Sequence, residues 1–282
     1  MPRSVDNVGP DVLIERAENR TIRLDEGADT FLIGRDAERA LIGKAFSASV
    51  SQSRCHGVLL LAEPGLGKSL LASDTIARLG TYAETALTVC QEWAEGSLAP
   101  LERLVQAVAP GVKDDPEAAL KDLVPIDEER VAIAEQLCRL FGWGDAPEVP
   151  DVSSWSVRRL LENVSTQTPL VLVFEDLHSA EDPLLDTLED LMIRLVGPIT
   201  FLLTGHPDVV VRRPTLGLPR ENFHVRRLEA LGRETALKLA EDVLGGQIVR
   251  GPWLENLLAT ANGNPLFLVE ALVQLRDDGH LQ

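Results

Sequence analysis

The chain has 282 residues, 45% hydrophobic and 25% charged, a composition that suits a folded globular protein with material for one large domain or two modest ones. Acidic residues outnumber basic ones 44 to 27, giving a net charge of -17, which argues against direct nucleic-acid binding by this piece because phosphate contacts need a basic face. Cys55, Cys90 and Cys138 are odd in number, widely spaced and without a CxxC pair; they support neither a disulfide framework nor a zinc site. No apolar run reaches bilayer-spanning length and the first residues lack a signal-peptide core, so the expected location is cytoplasmic, away from membranes.

In chain order, residues 1–30 mix polar positions with short apolar groups and read as a linker, an N-terminal extension or the tail of a preceding domain; only 12–17 hint at a helical turn. Phe31, Leu32 and Ile33 then run into Gly34, Arg35 and Asp36, ahead of an amphipathic helix carrying Ala40, Leu41, Ala45 and Phe46. Alone, that triplet is the ordinary entry of a strand or turn into a helix. Residues 58–61 predict a buried strand, a Gly/Pro-rich turn follows, and Lys68 and Ser69 open a helix through Leu70, Leu71 and Ala72. The stretch fits the phosphate-loop pattern G-x-x-x-x-G-K-[ST], except that Ala62 stands at the first glycine.

The chemistry accounts for the residue types. Through Pro64, Gly65, Leu66 and Gly67 the backbone can curl so that successive N–H groups face phosphate oxygens, and the helix start adds partial positive charge. Lys68 suits the β/γ-phosphates and the Ser69 hydroxyl suits Mg2+. An alanine at position 62 is tolerated if its φ is negative, since only a positive φ needs glycine.

Residues 86–90 predict a second strand, 98–108 a helix ending at Pro110 and Gly111, and 117–123 a short helix within an acidic stretch. Apolar periodicity predicts helices over 131–141 and 157–164, separated by a turn-rich break at 142–150. Residues 170–174 are apolar throughout, as in a central parallel strand covered on both faces, with Glu175 and Asp176 at its C-terminal end. Ligands of open parallel sheets bind at that edge, where one carboxylate can hold Mg2+ and its neighbour orient the attacking water. Asp176 could equally cap a turn, and neighbours on a strand point to opposite faces, so the division of roles stays open. A helix over 184–195 and a strand over 199–203 follow, the latter running into Thr204, Gly205, His206 and Pro207. His206 could reach the γ-phosphate side or serve structurally. Residues 208–222 read as a loop, 223–228 as a short strand, and 235–244, 253–261 and 266–274 as helices. Gly263, Asn264 and Pro265 read as a helix stop with proline at the next start, a feature that structure alone explains.

Together FLIGR, AEPGLGKS, VLVFEDLHSAED, LLTGHP and GNPLFLVEAL, in this order and spacing, resemble the STAND class of P-loop ATPases. The nearest likeness is to the ATPase modules of LuxR/MalT-type regulators and of those attached to nucleotidyl cyclases or serine/threonine kinases. The resemblance covers about residues 31–280 and implies an α/β fold: an AAA+-like αβα sandwich with a mainly parallel sheet over 31–230, then a small helical domain over 231–282, with ATP or ADP and Mg2+ between them. By position, Ile33, Gly34 and Arg35 would lie on the adenine side, Glu175 would take the metal, Asp176 the water, and Pro265 would close over the base. The departures are Ala62, Glu175 in place of a commoner aspartate, and His206 where arginine is frequent. A histidine with an ordinary pKa near 6.5 stabilises γ-phosphate charge less than arginine does, which implies slow hydrolysis.

The resemblance implies a signalling switch that acts with protein partners or by self-association, as in transcription regulation. The alternative is a non-catalytic, nucleotide-locked interaction scaffold. A processive motor would need an arginine acting in trans, for which Arg212 and Arg213 are the candidates. The winged domain of such regulators is absent at 278–282, so a piece of a longer protein, or a short relative working with partners, is expected.

Overall fold

The structure is a computed structural model that describes residues 32–91, 96–144, 154–246 and 251–278, together with the backbone of 22–24 and 28–30. Its centre is a five-stranded parallel sheet: β3 (His56–Leu61), β4 (Glu84–Val89), β5 (Leu170–Glu175), β6 (Ile199–Gly205) and β7 (Phe223–Arg227), in the order β4-β5-β6-β3-β7. Strands β1 (Ile22–Leu24) and β2 (Ala28–Thr30) form a separate antiparallel pair. The stretch read as a linker therefore contains this strand pair, while the helical hint at 12–17 lies outside the described residues.

Two-residue alternation assigns the strand side chains to two cores. Leu59, Leu61, Leu172, Phe174, Phe201 and Leu203 face one way. Val58, Leu60, Val171, Val173 and Leu202 face the other. The first face is covered by α3 (Ala99–Val108), α5 (Asp127–Phe141), α6 (Trp155–Ser165) and α7 (Asp182–Arg194). The second is covered by α1 (Asp36–Gln52) and α2 (Lys68–Leu79). This is the α/β sandwich expected from the uniformly apolar β5, which needs cover on both sides. A third apolar cluster joins α9 (Arg233–Val243), α10 (Pro252–Ala261) and α11 (Pro265–Asp277).

Several boundaries differ from the periodicity for identifiable reasons. Helix α5 begins at Asp127 rather than 131, because Asp127, Glu128 and Glu129 occupy a first turn where the helix dipole favours carboxylates. The short helix α4 is Pro116–Leu120 rather than 117–123, since the Asp115 side chain caps it by accepting from the amide of Ala118. The segment read as a loop over 208–222 holds α8 (Asp208–Arg212) and a 3-10 turn at Pro214–Gly217. Strand β6 continues through Thr204 and Gly205 because both pair with β3.

Topology then positions the site. The strand leading into the phosphate loop, β3, is flanked by β6 and β7. The C-terminal ends of β3, β5 and β6 lie side by side, and the segment after β7 is tied to β3 where the amide of Leu228 donates to the carbonyl of Leu61 at 2.8 Å.

Candidate nucleotide site

A cavity of about 420 Å³ opens at that sheet edge, lined by the loop, by strand-end residues that include Asp176 and His206, and by the start of α11. The loop has the curl that its sequence predicts, with φ of 82° at Gly65 and 90° at Gly67. Ala62 is absent from the non-glycine residues of positive φ and is buried, so its methyl is accommodated. The amides from Gly65 through Leu70 donate to no acceptor among the described residues; the amide of Leu71 is the first of the α2 start to find one, the carbonyl of Gly67 at 3.0 Å. Six unpaired donors in a curl at a helix start form a cradle for an anion.

Lys68 lies at the cradle with its ammonium donating to the carbonyls of Ala62 at 2.8 Å and Glu63 at 3.2 Å. Desolvation pulls its pKa down, while Asp176, Glu63 and Glu175 act in the opposite sense. Glu175 is buried beneath the cavity near the Ser69 hydroxyl, and its Oε1 has no partner. Burial raises its pKa from the ordinary carboxylate value and Asp176 adds to the shift; Ser69 and Lys68 oppose it. A hydroxyl and an orphaned buried carboxylate oxygen make a hard-oxygen donor set that fits Mg2+.

Asp176 follows Glu175 but turns into the left-handed region, φ 55° and ψ 45°, with its amide 3.4 Å from Thr204 Oγ1. A non-glycine residue held there is strained, and such strain gathers at functional sites. The turn separates the two carboxylates: Asp176 lines the cavity, whereas Glu175 sits below it beside Ser69.

His206 stands at the mouth. Its Nε2 is 2.9 Å from Glu63 Oε2, while its Nδ1 lies 3.0 Å from Asp208 Oδ2 and 3.3 Å from the donating amide of Asp208. The hydrogen bond to Glu63 chiefly, and Asp208 further, raise its pKa above the ordinary 6.5. A folded-state pKa above the unfolded one gives stability that is complete below about pH 6.5 and lost as pH rises through the folded value. An NMR titration is expected to place the His206 midpoint above 6.5 and to move it back toward that value in Glu63→Gln; the same midpoint in both would refute the pairing.

The FLIGR residues are placed differently from the phosphate-loop residues. Ile33 packs into the cluster of C-terminal helices, and Gly34 and Arg35 border a second, smaller cleft with Arg226, Arg227 and Glu229. Arg35 is buried, and its Nη2 donates to the carbonyls of Leu66 and Glu229, each at 2.9 Å. It braces the loop from behind. The Leu66 side chain likewise faces the core. Pro265 lines the cavity, joined by Leu266 and Val269, which sequence reasoning did not single out. Glu63, His178 and Asn264 were missed too: each draws its role from a partner far along the chain, and local pattern carries no signal for that.

A family model described as AAA ATPase domain matches residues 32–201. Among solved structures, an alanine-to-serine variant of Thermotoga maritima RuvB matches with TM-score 0.47 and 15% identity, covering 87% of this chain and 63% of that one. Thermotoga maritima RuvB, titled a Holliday junction branch migration motor, matches with TM-score 0.47 and 16% identity over 87% and 62% of the two chains. The chain thus spans less than two thirds of the length of these structures. No curated protein matches.

Proposed function

We propose that this chain, which belongs to the AAA ATPase domain family, is a Mg2+-dependent, slowly hydrolysing ATP switch of the STAND type. Its nucleotide state would set how the C-terminal helices attach to the core, and so control self-association or contact with a protein partner in signal transduction. The observation that carries this reading is the cradle of unpaired amides beside Lys68.

On this reading the amides from Gly65 to Leu70 take the phosphate oxygens, and Lys68 exchanges its loop carbonyls for the β/γ-phosphates. Ser69 and Glu175 would hold Mg2+, which supplies charge neutralisation when bound. Asp176 accepts from the attacking water, His206 meets the γ-phosphate, and Pro265, Leu266 and Val269 offer an apolar wall to the base. Ile33, Gly34 and Arg35 close the adenine side from behind the loop.

A switch is favoured over a motor because both candidate trans-acting arginines are engaged within their own chain. Arg212 donates to the carbonyls of His178 and Ala180, and Arg213 pairs with Asp186 and Glu189. No helix among the described residues is long and apolar enough to cross a membrane. Burial lifts the Cys55 and Cys90 thiols to about 12, which makes them inert, and the cytoplasm is the proposed location.

Calorimetric titration with Mg-ATP is expected to give saturable heat and a raised melting temperature; well-folded protein that shows neither refutes the reading. Mass spectrometry of nucleotide retained through purification identifies the base. The second reading, a nucleotide-locked scaffold, draws on His206 being held by Glu63 and Asp208. Retained nucleotide with no phosphate release under any magnesium or partner condition would favour it.

A further inference from the structure

Five consecutive carbonyls of the phosphate loop are taken, three of them by residues outside it. Ala62 and Glu63 are held by the loop's own Lys68 ammonium, Pro64 by Asn264 Nδ2 at 3.1 Å, Gly65 by the amide of Leu266 at 3.2 Å, and Leu66 by Arg35. In a planar trans peptide the C=O and the following N–H point in opposite directions. A carbonyl fixed outward therefore turns the next residue's amide inward. The anchors on Pro64, Gly65 and Leu66 orient the amides of Gly65, Leu66 and Gly67, and two of the three come from the first turn of α11.

The same contacts complete the cap of α11. Its N1 residue, Pro265, has no N–H; the amide of Leu266 goes to Gly65; the amide of Phe267 goes to Asn264 Oδ1 at 3.2 Å; and the amide of Leu268 begins the helical ladder at the Asn264 carbonyl. Asn264 thus uses its oxygen to start the helix and its nitrogen to hold a loop 200 residues away. Gly65 has no side chain where Asn264 passes: a Cβ there would lie 2.6 Å from Asn264 Oδ1.

We infer that Asn264 is a positioning residue that sets the phosphate-gripping amides and joins phosphate occupancy to the attachment of the C-terminal helices. The inference rests on the reading of the cavity as a nucleotide site. Coupling of this kind is reciprocal: whatever pulls α11 from the core loosens the phosphate grip, and bound phosphate holds α11 in place.

Asn264→Ser separates the two duties. Serine caps a helix as well as asparagine does but carries no amide to reach Pro64. Losing one neutral hydrogen bond of this kind is worth roughly 3- to 10-fold in affinity. Calorimetry with ATP, ADP and adenosine is expected to show that loss in N264S for both phosphorylated ligands, less than about 2-fold change for adenosine, and little change in apo melting temperature. If N264S fails to fold, Asn264→Asp keeps an acceptor of the same length, and ADP against adenosine is the comparison. A parent protein that binds no nucleotide overturns the underlying reading and this inference with it. A parent that binds, with ATP held equally by N264S or adenosine lost in the same proportion, overturns the inference alone.

Discussion

Lys68→Ala is expected to abolish measurable ATP binding while leaving the apo protein folded. Removing one partner of a desolvated, hydrogen-bonded charge pair costs about 2–5 kcal/mol, roughly 30-fold to several thousand-fold in affinity. The fold has little to lose at this position. The ammonium caps the carbonyls of Ala62 and Glu63, and desolvation has already pulled its pKa down, so below that depressed pKa its charge is a cost to the folded state. Saturating ligand at 100 times Kd stabilises a binder by about 2.7 kcal/mol. The parent should therefore melt higher with Mg-ATP and the variant should not. An unchanged thermal shift in the variant would place the bound phosphates elsewhere.

Asp176→Asn is expected to separate binding from turnover. Asparagine is one of the few residues at ease in the left-handed region, so the turn at φ 55° and the amide contact to Thr204 survive. What is lost is the acceptor for a water proton, and general-base groups of this kind are worth about 100- to 10,000-fold. Removing the charge also relieves one of the influences that raise the Glu175 pKa, which leaves that carboxylate more readily ionised. ATP affinity within a few-fold of the parent, with single-turnover phosphate release slowed by at least about 100-fold, is the anticipated result. Equal release rates in the two proteins would remove Asp176 from catalysis.

The fold was legible wherever one residue type had one physical use. A short apolar run such as that of β5 suits a strand covered on both faces, and AEPGLGKS between a strand and a helix suits a curl with inward amides. The two carboxylates were legible as a pair, but their roles were not. What separates them is the backbone turn at Asp176, which periodicity does not encode. Arg35 shows a related limit. A charged residue in a motif suggests a direct ligand, yet this one is buried against the carbonyls of Leu66 and Glu229, a contact with the loop that the motif does not encode. Gly263, Asn264 and Pro265 were readable as a helix stop and start, but the loop partner of Asn264 lies 200 residues away, a distance across which local rules are silent.

The strand order has a consequence for how such a site comes into being. Because β3 is zipped between β6 and β7, both much later in the chain, the sheet that backs the phosphate loop is completed only by long-range pairing. Such long closures are entropically slow steps. On the proposed reading, nucleotide would act on the finished native state by mass action, raising its stability against unfolding.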